Sequence, residues 1–483
     1  MKPIHIKSDS SSIKQAAIIN AVSKYATVII NLILTAILAR ILTPEDYGIV
    51  AVTTVFTNFF GVFADMGIGT AIIQNKELTK DDINNIFSFT IRQGVVLMFC
   101  FAGFSIPLSA FYENSVYIPI GILLAGSLFF GTVNMVPNAI LMKEKKFINV
   151  GLRTIVAAIL SGGFAIFLAY IGLGYYALVL QSLLSGIILF VWNYCSTKPK
   201  FKWSYGKESL NKVRRFSSFQ FGFNFINYFA RNSDNLLISK FMSEAALGYY
   251  DKAYKLMLYP INYLTNVITP VMHPILSDYQ DDKGVIYKKY ISVLKILSLL
   301  GIFITPFCYN ASDEIILIVF GSQWAKAIPC FRYMSLAIWA QMLLSSTGSV
   351  FQSAGRTDTM FKSGIITSIM TVSAIVLGLI EGSTVAVARN IAISYNLQFV
   401  FMYYLLIKKV LGFEFIDFLK ELLPDIIALS IMLCLGMCAS NYFKIEGLLF
   451  SAIIKCVMTG VIYICYLLIS KRYRVLLKLF NRQ

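Results

Sequence analysis

The sequence predicts an all-α integral membrane protein, on three grounds: an apolar composition, apolar runs of bilayer length, and basic residues gathered between those runs. Of 483 residues, 57% are hydrophobic and 14% charged, and the mean hydropathy is +0.70. Soluble domains carry about 25% charged residues. A helix needs roughly 20 apolar residues to cross a ~30 Å hydrocarbon core. Runs of that kind begin near residues 15, 46, 84, 116, 147, 174, 214, 246, 288, 326, 358, 384, 418 and 446, so about fourteen transmembrane helices are expected. Gln15 to Ala39 reads as the first span and not as a cleaved signal, because Met1 to Lys14 is polar.

The net charge of +17 is distributed in a way that fits a membrane and not a nucleic acid. Most of the 42 Lys and Arg lie in the N-terminus, the joints after even-numbered spans, and the tail "KRYRVLLKLFNRQ". Joints after odd-numbered spans hold only Arg40, Lys240, Lys326 and Lys444. The positive-inside rule then puts both termini in the cytoplasm. The basic segment "KPKFKWSYGKESLNKVRR" (Lys198 to Arg215) is expected against anionic membrane lipids.

An internal repeat organises the chain. "ILARILTPEDYGIVAV" (Ile37 to Val52) matches "LISKFMSEAALGYYDK" (Leu237 to Lys252) at an offset of 200, with Arg40 on Lys240, Thr43 on Ser243 and Gly48 on Gly248. "VYIPIGILLAGS" (Val116 to Ser127) matches "KAIPCFRYMSLA" (Lys326 to Ala337), with Pro119 on Pro329. The expected layout is an N-terminal six-helix lobe (1–200), a basic cytoplasmic connector (201–212), a C-terminal six-helix lobe (213–408), and two additional helices with a basic tail (409–483). An even number of spans per lobe makes the repeats parallel, a plan used by transporters whose lobes rock about a central site.

A polar seam runs through this apolar chain. In span 7, Ser217, Gln220, Asn224, Asn227, Arg231 and Asp234 recur at steps of three and four, which places them on one helical face. Span 1 repeats the pattern in Asn20, Lys24, Thr27 and Asn31, offset by 200 from Gln220, Asn224, Asn227 and Arg231. Span 2 adds Thr54, Asn58, Gly61 and Asp65; span 8 adds Asp251, Lys255, Asn262 and Asn266. A charge at the bilayer centre costs about 2.5–3.5 kcal/mol on insertion scales, whereas an interhelical polar contact returns only about 0.6. A water-filled cavity is therefore expected in place of simple helix glue. Lys24, Arg231 and Lys255 are candidate ligands for an anionic cargo, flanked by Asn31, Asn224 and Asn227. Asp65, Asp234 and Asp251 are read as ion-pair partners or as sites for a coupling cation. Arg92, Arg153, Lys295, Arg332, Arg389 and Lys455 mostly lie near span ends and are expected to snorkel.

Several chemistries lack their signatures. The sequence has no G-x-x-x-x-G-K-[ST] and no H-E-x-x-H, and its only histidines are His5 and His273. Its eight cysteines form no C-x-x-C and read as small packing residues. No metal or other cofactor is expected, and no enzymatic activity. The acidic "SDYQDDK" (Ser277 to Lys283) reads as a solvated turn.

Three segments resemble a known family. "LARILTPEDYGIVAVTTVFTNFFGVFADMGIGTAIIQ" (Leu38 to Gln74), "NYFARNSDNLLISKFMSEAALGYYDKAYKLMLYP" (Asn227 to Pro260) and "PVMHPILSDYQDD" (Pro270 to Asp282) are similar to bacterial polysaccharide exporters of the multidrug/oligosaccharidyl-lipid/polysaccharide flippase superfamily, particularly its colanic-acid and teichuronic-acid exporter branch. The resemblance implies a V-shaped pair of six-helix lobes in the cytoplasmic membrane. It implies a flippase that moves undecaprenyl-pyrophosphate-linked oligosaccharide outward by alternating access, working beside a polysaccharide polymerase and glycosyltransferases. Lys24 and Arg231 stand where related flippases place cavity cations. Coupling to H+ or Na+ is implied without a matching residue, and Pro424 to Ile469 would form a groove for the lipid tail. Two rivals remain open. A multidrug efflux antiporter of the same superfamily should favour an acidic cavity, and a membrane polysaccharide polymerase should need a larger extramembrane face than these short joints offer.

Overall fold

A computed structural model describes residues 10–65, 68–75, 77–144, 146–203, 228, 232–265, 272, 276–280, 282–442 and 447–475. The described residues are almost entirely helical and contain no strand. The chain divides into two compact units, Met1–Lys240 and Phe241–Gln483.

The first unit contains α1 (Ser10–Ile41), α2 (Pro44–Asp65), α3 (Ile68–Gln74), α4 (Lys80–Tyr112), α5 (Tyr117–Lys143), α6 (Phe147–Tyr170) and α7 (Tyr175–Thr197), followed by helical residues 232–240. The Asp46 carboxylate accepts from the Thr43 backbone N–H at 2.8 Å and from its hydroxyl at 2.7 Å, and the Thr43 hydroxyl accepts from the Asp46 N–H at 3.2 Å. This reciprocal cap starts α2. The second carboxylate oxygen of Asp46 accepts from the Tyr175 N–H at 2.9 Å, fixing the start of α7 beside it. α4 packs along α5, α5 along α7, and α1 along α6. The last of these pairs is close because Gly162 has no side chain: a Cβ there would lie 2.3 Å from Leu34. Small residues of this kind let helices approach in a bilayer.

The second unit contains α8 (Glu244–Pro260) with a π-helical end (Ile261–Thr265), α9 (Lys283–Asn310), α10 (Ser312–Val319), a 3₁₀ turn (Ser322–Ala327), α11 (Ile328–Ser335), α12 (Ile338–Leu344), α13 (Thr347–Ser353), α14 (Thr357–Ile380), α15 (Thr384–Tyr404) with a π-helical end (Leu405–Leu411), α16 (Phe415–Tyr442) and α17 (Leu448–Ile469). Ser243 caps α8 through the Ala246 N–H at 3.1 Å. Thr43 and Ser243, matched by the repeat, therefore perform the same local task in their own units. The core gathers Tyr290, Trp339, Phe399, Tyr403 and Phe418, and Tyr290 links by hydroxyl to Tyr403 at 2.8 Å and Ser346 at 3.0 Å.

Eleven helices among the described residues are long and apolar enough to cross a membrane, or twelve if one bent pair counts as a span. With its outward-facing apolar stripes, such as Ile453, Val457, Val461, Ile464 and Leu468 on α17, the chain is a multi-pass membrane protein. The expected span near 214 falls largely outside the described residues. That near 246 begins as α8, which carries Asp251, Lys252 and Lys255 within 17 residues.

The bent pair departs from the continuous helix expected near residue 326: Ser322–Ser335 and Ile338–Ser353 meet at 53°. Two features account for it. Trp339 is seated where Gly301 of α9 leaves space, since a Cβ on Gly301 would lie 2.8 Å from the indole. Ser335, the last residue of α11, turns its hydroxyl back onto the Arg332 carbonyl at 2.7 Å, a local competition that weakens helices.

α14 and α15 meet at Gly378, where a Cβ would lie 2.4 Å from the Val387 backbone. Gly378→Leu should force the pair apart and destabilise the protein by about 1–3 kcal/mol. Thermal unfolding in detergent checks this, and an unchanged midpoint would show that the approach is not required.

Candidate functional site

The seam expected on span 2 lines a cleft within the first unit. Thr54, Asn58 and Gly61 lie on one face of α2 and open into a space of about 310 Å³ between α2, α5 and α7. Thr57 of α2, Ser127 and Thr132 of α5 and Ser182 of α7 add hydroxyls, over an apolar floor of Leu124, Leu128 and Met135. None of the described lining residues is charged. Thr57 and Thr132 donate back to their own helices, at 2.8 Å to the Thr53 carbonyl and 2.7 Å to the Leu128 carbonyl. Ser127 and Ser182 share a hydrogen bond of 3.0 Å across α5 and α7. Thr54 and Asn58, one turn apart and exposed, find no side-chain hydrogen-bond partner among the described residues.

On α1, Lys24 and Asn31 are both exposed, and Lys24 has no acidic partner among the described residues. Thr27 between them is satisfied locally, donating to the Ser23 carbonyl at 2.8 Å. In the segment expected as span 7, the Tyr228 hydroxyl donates to the Val55 carbonyl, and its ring lies 6.0 Å from that of Phe59; Tyr228 thus packs against α2. Asp234 is buried, with a carboxylate oxygen accepting from the Asn235 N–H at 2.8 Å. Arg231, Asn224 and Asn227 lie outside the described residues, as do Asn266 and the side chain of Asp65.

In the second unit, Lys255 pairs with Asp251 at 2.6 Å; the carboxylate is buried and the ammonium exposed. Its charge is thus already engaged. Beside it, Lys252 is buried with its ammonium 5.4 Å from the Phe320 ring and 5.6 Å from Trp324, a cation–π arrangement that no spacing in the sequence signals.

The snorkelling expected for the remaining cations is overturned most clearly at Arg153 and Lys455. Arg153 of α6 is 5% exposed and donates to Asn193 of α7 and, at 2.6 Å, to Asn138 of α5. Asn193 donates in turn to Asn134 at 2.6 Å. Lys455 of α17 bonds the Glu314 carboxylate at 2.6 Å and the Asn310 carbonyl at 2.9 Å. Lys295, Arg332 and Arg389 pair with Glu421, Asp313 and Glu381. Arg153 and Lys455 are thus held by partners inside the helix bundle, whereas the Arg332 and Arg389 pairs are about two-fifths exposed. The Asn134 and Asn138 pair, one turn apart on α5, was the available sequence signal.

The profile of a family described as "Polysaccharide biosynthesis protein" matches residues 37–329, more than half of the chain. The teichuronic acid biosynthesis protein TuaB of Bacillus subtilis (strain 168) is 24% identical over 343 residues, covering 71% of each chain. The lipopolysaccharide biosynthesis protein WzxC of Escherichia coli (strain K12) is 24% identical over 416 residues, covering 83% of this chain and 82% of that one. Among solved structures, the lipid II flippase MurJ in an inward closed conformation superposes with a TM-score of 0.74 at 15% identity, over 95% of this chain and 100% of that chain; this likeness concerns the fold.

The Arg153 network yields a cycle. Asn193→Leu leaves a buried guanidinium and Asn134 short of partners and should destabilise the protein by about 2–3 kcal/mol. Adding Arg153→Leu removes the stranded charge and should recover much of that loss. Unfolding of the single and double variants in detergent measures both; strict additivity would show that the two residues do not cooperate.

Proposed function

The chain belongs to the polysaccharide biosynthesis protein family, and from that premise we propose that it moves undecaprenyl-pyrophosphate-linked oligosaccharide units across the cytoplasmic membrane, from the inner to the outer leaflet. The units would feed capsule, exopolysaccharide, O-antigen or teichuronic-type polymer synthesis. Glycosyltransferases build them on the cytoplasmic side, and a polymerase consumes them outside. The names of TuaB and WzxC tie those relatives to cell-surface polymers, and MurJ, which shares the fold, is named for another lipid-linked saccharide.

The observation that carries this reading is Lys24. It is exposed on a bilayer-length helix and has no acidic partner among the described residues. At 1.5 Å per residue it stands about 25 Å from Ile41 at the other end of α1. With both termini cytoplasmic, that depth lies near the inner boundary of a ~30 Å hydrocarbon core, where the pyrophosphate of an inner-leaflet lipid enters. An ammonium binds phosphate oxygens by charge-assisted bonds. Arg231, two hundred residues after Asn31, would continue the anion path from the second repeat, and the lobes would alternate access around it. Asp65, Asp234 and Asp251 are the candidates for H+ or Na+ coupling.

The test is the leaflet distribution of lipid-linked oligosaccharide in cells lacking the protein. Units should accumulate on the cytoplasmic side and be cleared by the wild type and by Lys24→Arg. Lys24→Ala and Arg231→Ala, expressed to the same level, should lower the flipping rate roughly 10- to 100-fold, the worth of one charged hydrogen bond. Full clearance by both alanine variants would remove these cations from the mechanism.

A further inference from the structure

Among its described lining residues, the cleft between α2, α5 and α7 carries no cation for a pyrophosphate and no carboxylate for an organic cation. It does offer hydroxyl and amide groups at membrane depth. Thr54 and Asn58, at the middle of α2, have free side-chain hydrogen-bonding groups among the described residues, a costly state in hydrocarbon and a stable one only where water or a polar ligand replaces lipid. Hydroxyl and amide groups of mixed donor and acceptor character suit a neutral polyhydroxylated ring, and Leu124, Leu128 and Met135 suit its C–H face. The volume of about 310 Å³ lies at the lower end of the ~300–1,000 Å³ range of small-molecule sites. It fits one or two sugar rings, not a whole repeat unit.

We propose that this cleft is a saccharide subsite that holds one or two sugar rings of the cargo, with Thr54 and Asn58 as its recognition residues. The assignment rests on the lipid-linked oligosaccharide reading above and adds to it a division of labour: cations engage the pyrophosphate, and a neutral pocket within the first unit engages the glycan. Gly131 lines the cleft, and a Cβ there would meet nothing within 4 Å. Gly131→Leu therefore projects a side chain into the cleft.

Two ligands separate the sugar from the anchor: undecaprenyl pyrophosphate itself, and the lipid-linked repeat unit extracted from cells that lack the protein. Binding of each to the purified full chain is measured for the wild type, Thr54→Val/Asn58→Leu and Gly131→Leu, with unfolding midpoints as the folding control. Both variants should bind the glycan-bearing lipid about tenfold or more weakly, as expected for one or two lost hydrogen bonds, and should bind undecaprenyl pyrophosphate as the wild type does. Unchanged affinity of a folded variant for the glycan-bearing lipid overturns the subsite. Equal weakening for both lipids assigns the cleft to the anchor and also overturns it. If the wild type binds neither lipid, the reading of function fails first. Should Thr54→Val/Asn58→Leu not fold, Gly131→Leu decides alone.

Discussion

In hydrocarbon, a polar side chain must find its partner within the protein, because water is not there to supply one. The architecture of both units follows from that constraint. Arg153 draws together α5, α6 and α7 through three asparagines. Asp425, fully buried on α16, accepts from Ser298 of α9 at 2.8 Å and from Tyr466 of α17, and forms an ion pair with Arg472 beyond it at 3.3 Å. Ser298 also accepts from Trp339 at 3.0 Å, bringing in α12. Glu314 joins α10 to α17 through Lys455 and Ser451. The Arg153 node ties three consecutive helices, whereas the Asp425 and Glu314 nodes unite helices distant in sequence. Such groups contribute more to which helices meet than to how tightly they meet.

Tightness comes from van der Waals contact, which depends on how closely backbones approach. Lipid is as apolar as a leucine side chain, so burying leucine between helices gains little over leaving it in the bilayer. This explains why large aliphatic residues remain outward on α16 and α17 while Phe418, Leu422, Ala428 and Met432 turn inward around Asp425. The last two helices are therefore held to the second unit by a polar node inside a modest apolar face, and their outer faces stay available to lipid.

Much of this was legible in the sequence, and the rest was hidden for identifiable reasons. Helical periodicity placed Thr54, Asn58 and Gly61 on one face, and that face opens on a cleft. The repeat aligned Thr43 with Ser243, and both are helix caps. What failed was the treatment of single cations. Snorkelling depends on distance from a helix end, which a sequence shows; pairing depends on what a neighbouring helix presents at that depth, which it does not. Ser127 and Ser182 escaped notice for the same reason, since each is unremarkable on its own helix and acquires meaning only opposite the other. The bend between α11 and α12 arises from Gly301 on another helix and from the Ser335 hydroxyl bonding backward, and neither interrupts the apolar run.

The contrast between Lys24 and Lys255 shows how environment sorts identical residue types. Lys255 lies four residues from a buried carboxylate and pairs with it; a phosphate would have to compete with an intramolecular partner already in place. Lys24 has none among the described residues, so an anion at that position would displace no intramolecular ion pair. The proposed saccharide cleft would add a neutral site to it. A carrier that must release its cargo cannot hold every part of it by charge, because charge-assisted bonds are about twice as strong as neutral ones. Neutral hydrogen bonds exchange with water at little net change in free energy, so a glycan held that way can be recognised on entry and released on exit. The proposed division, with charge at the anchor end and neutrality at the sugar end, would allow both selectivity and turnover.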